Sequence, residues 1–466
     1  MAAIRGATGS SARAQSGSMI SDKSRPDTEA TLGHAADTAT VKIDRANPGA
    51  RPGSPAPASQ PGPVPGRAVS AADGAARPIM PYLSRMGQKR AGPPRARRGA
   101  LLCLLAAVAC ATPACSPGSS GHAGHHQRDT APRLHVSGNR LVNGHGRPVL
   151  LHGVNRSGTE FMCVQGHGIF DGPADQASIS AMKAWGVNAV RVPLNEACWN
   201  GEPYVNPAYA GANYQDAIKS YVSLLNANGM VAILDLHWTD GRYTGPASLC
   251  ASPQARCLKP MPDAAHAIPF WTSVASTFKG NKAVIFDLFN EPFPERASHS
   301  QTAGWQCWLN GGSCPGIGYP VAGMQQLVNA VRGTGARNVI LVGGLAYAND
   351  LSGWLSHEPA DPAHNLAASW HSYNFNACSN LPCWTSVVGP VIAQVPLVAG
   401  EIGQNDCASD YITTLMGWLD SQPAGYLAWA WNADFPCASG PSLISSYDGT
   451  PTPYGAGFRA HLRSLR

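Results

Sequence analysis

The sequence predicts an α/β protein: a (β/α)8 TIM barrel with a short N-terminal hairpin and disulfide-stapled loops. Three observations predict it. Eight short apolar runs follow one another from residue 149 to the C-terminus. Stretches with apolar residues three and four apart lie between most of them, the alternation of a parallel sheet with crossover helices. The segment that carries them is about 330 residues long, which suits such a barrel with long loops.

The elements read in order as follows. Leu134–Arg147 holds two glycine turns, Ser137-Gly-Asn and Asn143-Gly-His-Gly, and reads as a small hairpin ahead of the first barrel strand. The apolar runs are Val149–Val154, Val187–Pro193, Val231–His237, Val284–Asn290, Val339–Gly343, Leu366–His371, Leu397–Glu401 and Tyr426–Trp431. Helical spacing marks Ser178–Trp185, Tyr214–Asn228, Ala265–Phe278, Val321–Val331 and Tyr411–Leu419. Gly186, Gly229, Gly280 and Gly335 stand where helices would close on a left-handed residue.

Upstream the composition changes. Residues 1–85 are rich in Ala, Gly, Pro, Ser and Arg; they read as a disordered leader, or as sequence preceding a true start at Met86. Residues 86–115 read as an export signal. Lys89, Arg90, Arg95, Arg97 and Arg98 precede the apolar run Ala100 to Ala111, which is too short to span a bilayer. A rival reading makes Cys115, in the loosely lipoprotein-like Thr112-Pro-Ala-Cys115, a lipid anchor. A Ser/Gly/His-rich linker, 116–130, leads into the globular domain, 131–466. Its His122, His125 and His126 read as solvated linker rather than a metal site. A secreted monomer without a membrane span is expected.

Charge divides along the same line. Residues 1–130 carry 16 Lys+Arg against 7 Asp+Glu, and the remainder carries 18 against 21. The folded part has no basic stripe, which argues against nucleic-acid binding. Of 13 cysteines, ten lie beyond the leader: Cys163, Cys198, Cys250, Cys257, Cys307, Cys314, Cys378, Cys383, Cys407 and Cys437. An even count in an exported domain implies disulfides, although sequence does not fix their connectivity. Close spacing favours Cys250–Cys257, Cys307–Cys314 and Cys378–Cys383, leaving Cys163–Cys198 and Cys407–Cys437. No CxxC pair occurs and no His recurs at ligand spacing, so neither metal nor cofactor is expected.

Polar residues stand at the ends of the apolar runs, and that face of a barrel carries the active site. They are Asn155, Arg191, His237, Asn290, Glu291, His371, Tyr373, Glu401, and Trp429 or Trp431. Each has a blander reading alone: Arg191 as a structural ion-pair residue, His237 as a satisfied core histidine, the tryptophans as plain core. Their joint placement favours a site. Two glutamates, Glu291 and Glu401, each end a buried run, where a carboxylate is costly unless the fold uses it. Asp235 and Asp287 read as supports, and Glu160 and Glu196 as solvated loop carboxylates.

Asn290-Glu291-Pro292 resembles the fourth-strand signature of glycoside hydrolase family 5, the cellulase family of retaining enzymes. Gly400-Glu401-Ile402-Gly403 resembles its seventh-strand motif. Arg191-Val-Pro193, Leu236-His237-Trp238, His371-Ser372-Tyr373 and Trp429-Ala-Trp431-Asn432 resemble its motifs on strands two, three, six and eight. The resemblance covers 131–466. It departs from commoner members in an insertion around Glu160–Asp171 and in the extra cysteines, which bear on substrate preference rather than chemistry.

The resemblance implies that Glu291 is the acid/base and Glu401 the nucleophile of an endo-β-1,4-glucanase working by double displacement on a polysaccharide. Arg191 would keep Glu401 ionised and Tyr373 would orient it. Asn290 would hydrogen-bond the sugar 2-hydroxyl. His237 and His371 would be scaffold, and Trp429 the cleft floor. Trp238, with Trp305 or Trp308, would contact sugar. A β-mannanase or other β-glycan hydrolase is the alternative within the class. A non-catalytic carbohydrate-binding protein is the alternative outside it, and it has no use for an acid and nucleophile pair. No GxxxxGK[ST] or HExxH occurs to favour a nucleotide- or zinc-dependent barrel.

Overall fold

The structure, a computed structural model, describes residues 130–438 and 440–466. The leader, the export signal, Cys115 and nearly all of the linker lie outside the described residues. Eight parallel strands close into a barrel: β1 (His152–Asn155), β2 (Ala189–Asn195), β3 (Val231–Trp238), β4 (Val284–Asp287), β5 (Ile340–Gly343), β6 (Leu366–Tyr373), β7 (Leu397–Gly403) and β8 (Ala424–Ala428). Each strand pairs with its sequence neighbours, and β8 returns to β1. All eight predicted runs supply a strand. Among the described residues no helix is long and apolar enough to cross a membrane.

Strand periodicity explains how the barrel is filled. Successive side chains point to opposite faces, so β3 sends Val231 and Ile233 into the lumen and Ala232, Leu234, Leu236 and Trp238 outward against the helices. Ala189, Ile285, Leu341, Ala367, Val398 and Leu427 complete the inner apolar layer. The next inward positions along the strands are polar: Arg191, Asp235, Asp287 and Ser369. The hairpin, His135–Ser137 with Arg140–Val142, packs Leu134 and Leu141 against the inner layer. Its backbone bonds Lys282, just ahead of β4, so it plugs the barrel at the strands' N-terminal ends.

The predicted helices form at Gln176–Trp185, Ala212–Ala227, Ala264–Phe278, Met324–Gly333 and Asp410–Asp420. Asp175 and Asp263 cap two of them through their side chains. Gly186 closes the first helix with a φ of 101°, whereas Gly280 lacks a positive φ. The fourth helix starts later than expected, because Val321 pairs with Gly312 in a two-stranded ribbon. Helices Gln301–Asn310 and Pro453–Ser464 were not anticipated. The three cysteine pairs favoured by spacing, Cys250–Cys257, Cys307–Cys314 and Cys378–Cys383, are disulfides, and so are the two pairs that remained, Cys163–Cys198 and Cys407–Cys437.

Candidate active site

Arg191 organises the barrel mouth. It is fully buried, and five groups contact its guanidinium. Nη1 donates to Glu401 Oε1 at 2.8 Å and to Asn155 Oδ1 at 3.1 Å. Nη2 donates to Asn290 Oδ1 at 2.9 Å and lies 3.0 Å from Asp235 Oδ1. Nε donates to Asp287 Oδ2 at 2.9 Å. Asp235 and Asp287 occupy inner-face positions below the mouth, as supports should. Burial pushes both carboxyls up to about 7 although Arg191 pulls the other way.

Glu401 reaches the lumen through a bulge. Trp370 of β6 pairs with Ala399, but the next residue, His371, pairs with Glu401. Gly400 is the extra residue, and it too faces inward: a Cβ there would lie 2.9 Å from Ser369 Oγ and 3.2 Å from His371 Nε2. The slip turns Glu401 into the mouth instead of the helix layer. There Tyr373 donates its hydroxyl to Glu401 Oε2 at 2.6 Å.

Glu291 follows the end of β4, with Asn290 N–H bonded to the Leu236 carbonyl at 3.0 Å. His371 Nδ1 joins the two glutamates, lying 3.2 Å from Glu291 Oε1 and 3.7 Å from Glu401 Oε2. Oxygens of the two carboxyls approach within 4.8 Å. Burial, reinforced by the Glu401 charge, holds Glu291 well above the usual carboxylate range. Burial raises Glu401 as well, but Arg191, His237 and the Tyr373 hydroxyl pull it back. The two environments therefore push the pair apart, with Glu291 held further above the ordinary carboxylate range than Glu401.

His237 Nδ1 lies 2.6 Å from Asp235 Oδ2, and burial lowers the imidazole to about 3, so the ring is neutral. Burial likewise keeps His371 well below its ordinary value. Both serve as neutral hydrogen-bonding groups, not proton carriers at neutral pH. The Trp429 ring, half-buried, stacks on His237 at 5.5 Å between centroids.

The family model for cellulase (glycosyl hydrolase family 5) matches residues 142–435. The chain belongs to glycosyl hydrolase family 5. This member is 24% identical over 315 residues to a mannan endo-1,4-beta-mannosidase of Streptomyces lividans, a match covering 65% of the chain and 66% of that relative. A mannan endo-1,4-beta-mannosidase of Salipaludibacillus agaradhaerens is 23% identical over 65% of the chain and 82% of its own length. Among solved structures, the beta-glucanase SdGluc5_26A of Saccharophagus degradans, in complex with cellotetraose, superposes with a TM-score of 0.55 at 19% identity, covering 72% of the chain and 94% of that structure.

Two expectations for this family 5 hydrolase are corrected. Trp238 is 1% exposed, because its position on β3 points it outward into the core between barrel and helices. Trp305 and Trp308 are buried too, packed against each other at 5.2 Å. Glu160 and Glu196 are likewise not solvated. Glu160 accepts from Gly158 N–H at 2.7 Å, and burial raises it to about 8. Glu196 accepts from Asp240 N–H at 2.6 Å and shares the Thr239 hydroxyl with Asp263. Glu196, Asp240 and His266 bring ligand-type atoms within 4.8 Å of one another, and the cluster is hydrogen-bonded within the protein: Thr239 donates to Glu196, Tyr204 to Asp240, and His266 Nδ1 lies 2.8 Å from Asp263 Oδ1. The one sequence signal for Glu196 was Asn195, whose side chain caps the helix Glu196–Asn200 and so fixes that glutamate at its first position.

Proposed function

We propose that this chain is an exported endo-β-1,4-glycanase that retains anomeric configuration, with Glu401 as nucleophile and Glu291 as acid/base. The observation that carries the reading is the pair itself: two buried carboxyls within 4.8 Å, one of them gripped by Arg191 and Tyr373. Retention requires carboxyls roughly 5–5.5 Å apart, since no water has to fit between nucleophile and sugar.

In the first step Glu401 attacks the anomeric carbon while Glu291 gives its proton to the departing oxygen. The glycosidic bond breaks and an ester to Glu401 forms. Glu291, now ionised, then takes a proton from water as that water displaces Glu401. Arg191 fixes the Asn290 oxygen, which leaves the Asn290 amide nitrogen to donate to the sugar 2-hydroxyl. Trp429 supplies an apolar ring for the sugar face. The five disulfides support an oxidising, extracellular setting.

Glucan was the first expectation from sequence. Two relatives that match over 65% of the chain are named for mannan, which favours mannan as the substrate to test first. Purified protein should be screened on mannan, carboxymethyl-cellulose, xylan, xyloglucan and lichenan, with the product anomer followed by NMR. Glu291→Gln and Glu401→Gln should each abolish hydrolysis and leave glycan binding nearly intact. Undiminished turnover in either variant, or initial products of inverted configuration, would end the assignment.

A further inference from the structure

The turn after β5 adopts a backbone that L residues avoid. Ala346, Tyr347 and Ala348 have φ of 52°, 63° and 58°. None is the glycine or asparagine that tolerates this region, and each such residue costs about 1–2 kcal/mol. Strain of this kind persists only where the surroundings impose it, and it gathers at functional sites.

The restraints lead to the loop that carries the acid. Tyr347 N–H donates to the carbonyl of Pro292, the residue after Glu291, at 2.9 Å. Leu345 and Asp350 exchange both backbone bonds at 3.0 Å and close the base of the turn. The buried carboxyl of Glu295 accepts from the Ala346 backbone. Strand β5 lies between β4 and β6, so the turn stands between the Glu291 loop and the end carrying His371 and Tyr373.

What the turn delivers is one phenol. The Tyr347 ring rests on the buried Phe293 at 4.7 Å between centroids, and the Arg296 guanidinium lies 5.2 Å over the ring. The side chain is half-buried; burial raises the phenol, the Arg296 charge opposes this, and the Glu291 carboxyl adds to it. The ring is packed between Phe293 and Arg296, while the hydroxyl forms no hydrogen bond among the described residues.

We propose that Tyr347 is a substrate-binding residue on the leaving-group side of the scissile bond, its hydroxyl donating a hydrogen bond to the first sugar that departs. This rests on the reading of Glu291 as the acid, because the group receiving that proton must lie beside the Glu291 loop. A rigid donor placed by a strained turn loses little entropy on binding.

The test compares a β-1,4-glycan with the corresponding β-glycobiosyl fluoride, whose leaving group is no sugar. Tyr347→Phe keeps the ring and removes only the hydroxyl. It should lower kcat/KM on the glycan about threefold to tenfold, the worth of one neutral hydrogen bond, mostly through KM. Turnover of the fluoride and the melting temperature should be unchanged. Tyr347→Gly relieves the backbone and should lower glycan kcat/KM at least as far. Equal losses on glycan and fluoride, or none on the glycan, would overturn the assignment of Tyr347. Wild-type protein cleaving neither substrate would instead overturn the reading of the carboxyl pair.

Discussion

Tyr373→Phe probes the balance between the two carboxyls most directly. The substitution removes one atom, the hydroxyl that donates to Glu401 Oε2 at 2.6 Å, and leaves Arg191 on the other oxygen. A hydrogen bond to a charged group contributes about 1.5–3 kcal/mol, which corresponds to roughly one to two pKa units. The bond favours the ionised carboxylate, so losing it raises Glu401, in the direction burial already drives it. A nucleophile acts only when ionised. The acidic limb of the kcat/KM profile should therefore move to higher pH by about one unit, and the plateau should fall about tenfold to a hundredfold. The assay is kcat/KM on a soluble β-glycan from pH 4 to 9, with a melting curve as a control for folding. A profile superimposable on the wild type, with less than a twofold loss, would refute the role given to Tyr373.

Four further outcomes are expected. Arg191→Met strands several buried carboxyls and should lower unfolding free energy by about 3–5 kcal/mol in a urea titration. Trp238→Phe should lower stability by about 1–3 kcal/mol but leave KM within twofold; a large rise in KM would return Trp238 to the sugar site. Glu160 is raised to about 8 in the folded protein against 4.5 for the free group. Its contribution is complete below pH 4.5 and lost as pH climbs through 8, so the melting temperature of Glu160→Gln relative to wild type should rise across that window. Reductant should lower the melting temperature. The Cys163–Cys198 crosslink, 35 residues apart, accounts for about 3–4 kcal/mol on the loop-entropy model, so an unchanged melting point would show that the bridges carry little stability.

How legible the site was depended on which physical rule governed each residue. Period-2 alternation is local, so the strands carrying Arg191, His237 and His371 could be read from their apolar neighbours, and Asp235 and Asp287 could be recognised as supports. The same alternation would have turned Trp238 outward, had parity been followed past His237. Glu401 was found through its place at the end of an apolar run and then its motif, rather than through parity, because the bulge at Gly400 breaks the count. Glu160 and Glu196 are held by partners distant in sequence: Glu196 by Thr239 and Asp240, and Glu160 by the Asn195 side chain, which donates to its carbonyl. The left-handed turn at Tyr347 was invisible, since Leu345-Ala-Tyr-Ala348 contains none of the residues that announce such a conformation.

The hairpin whose leucines stopper the barrel has a practical consequence. It fixes where the amino end of the described chain leaves the domain, and that exit lies across the barrel from the catalytic opening. A bead, scaffold or fusion partner joined ahead of Leu134 would sit behind the enzyme. An insoluble fibre could then approach the open rim without meeting its own immobilisation chemistry.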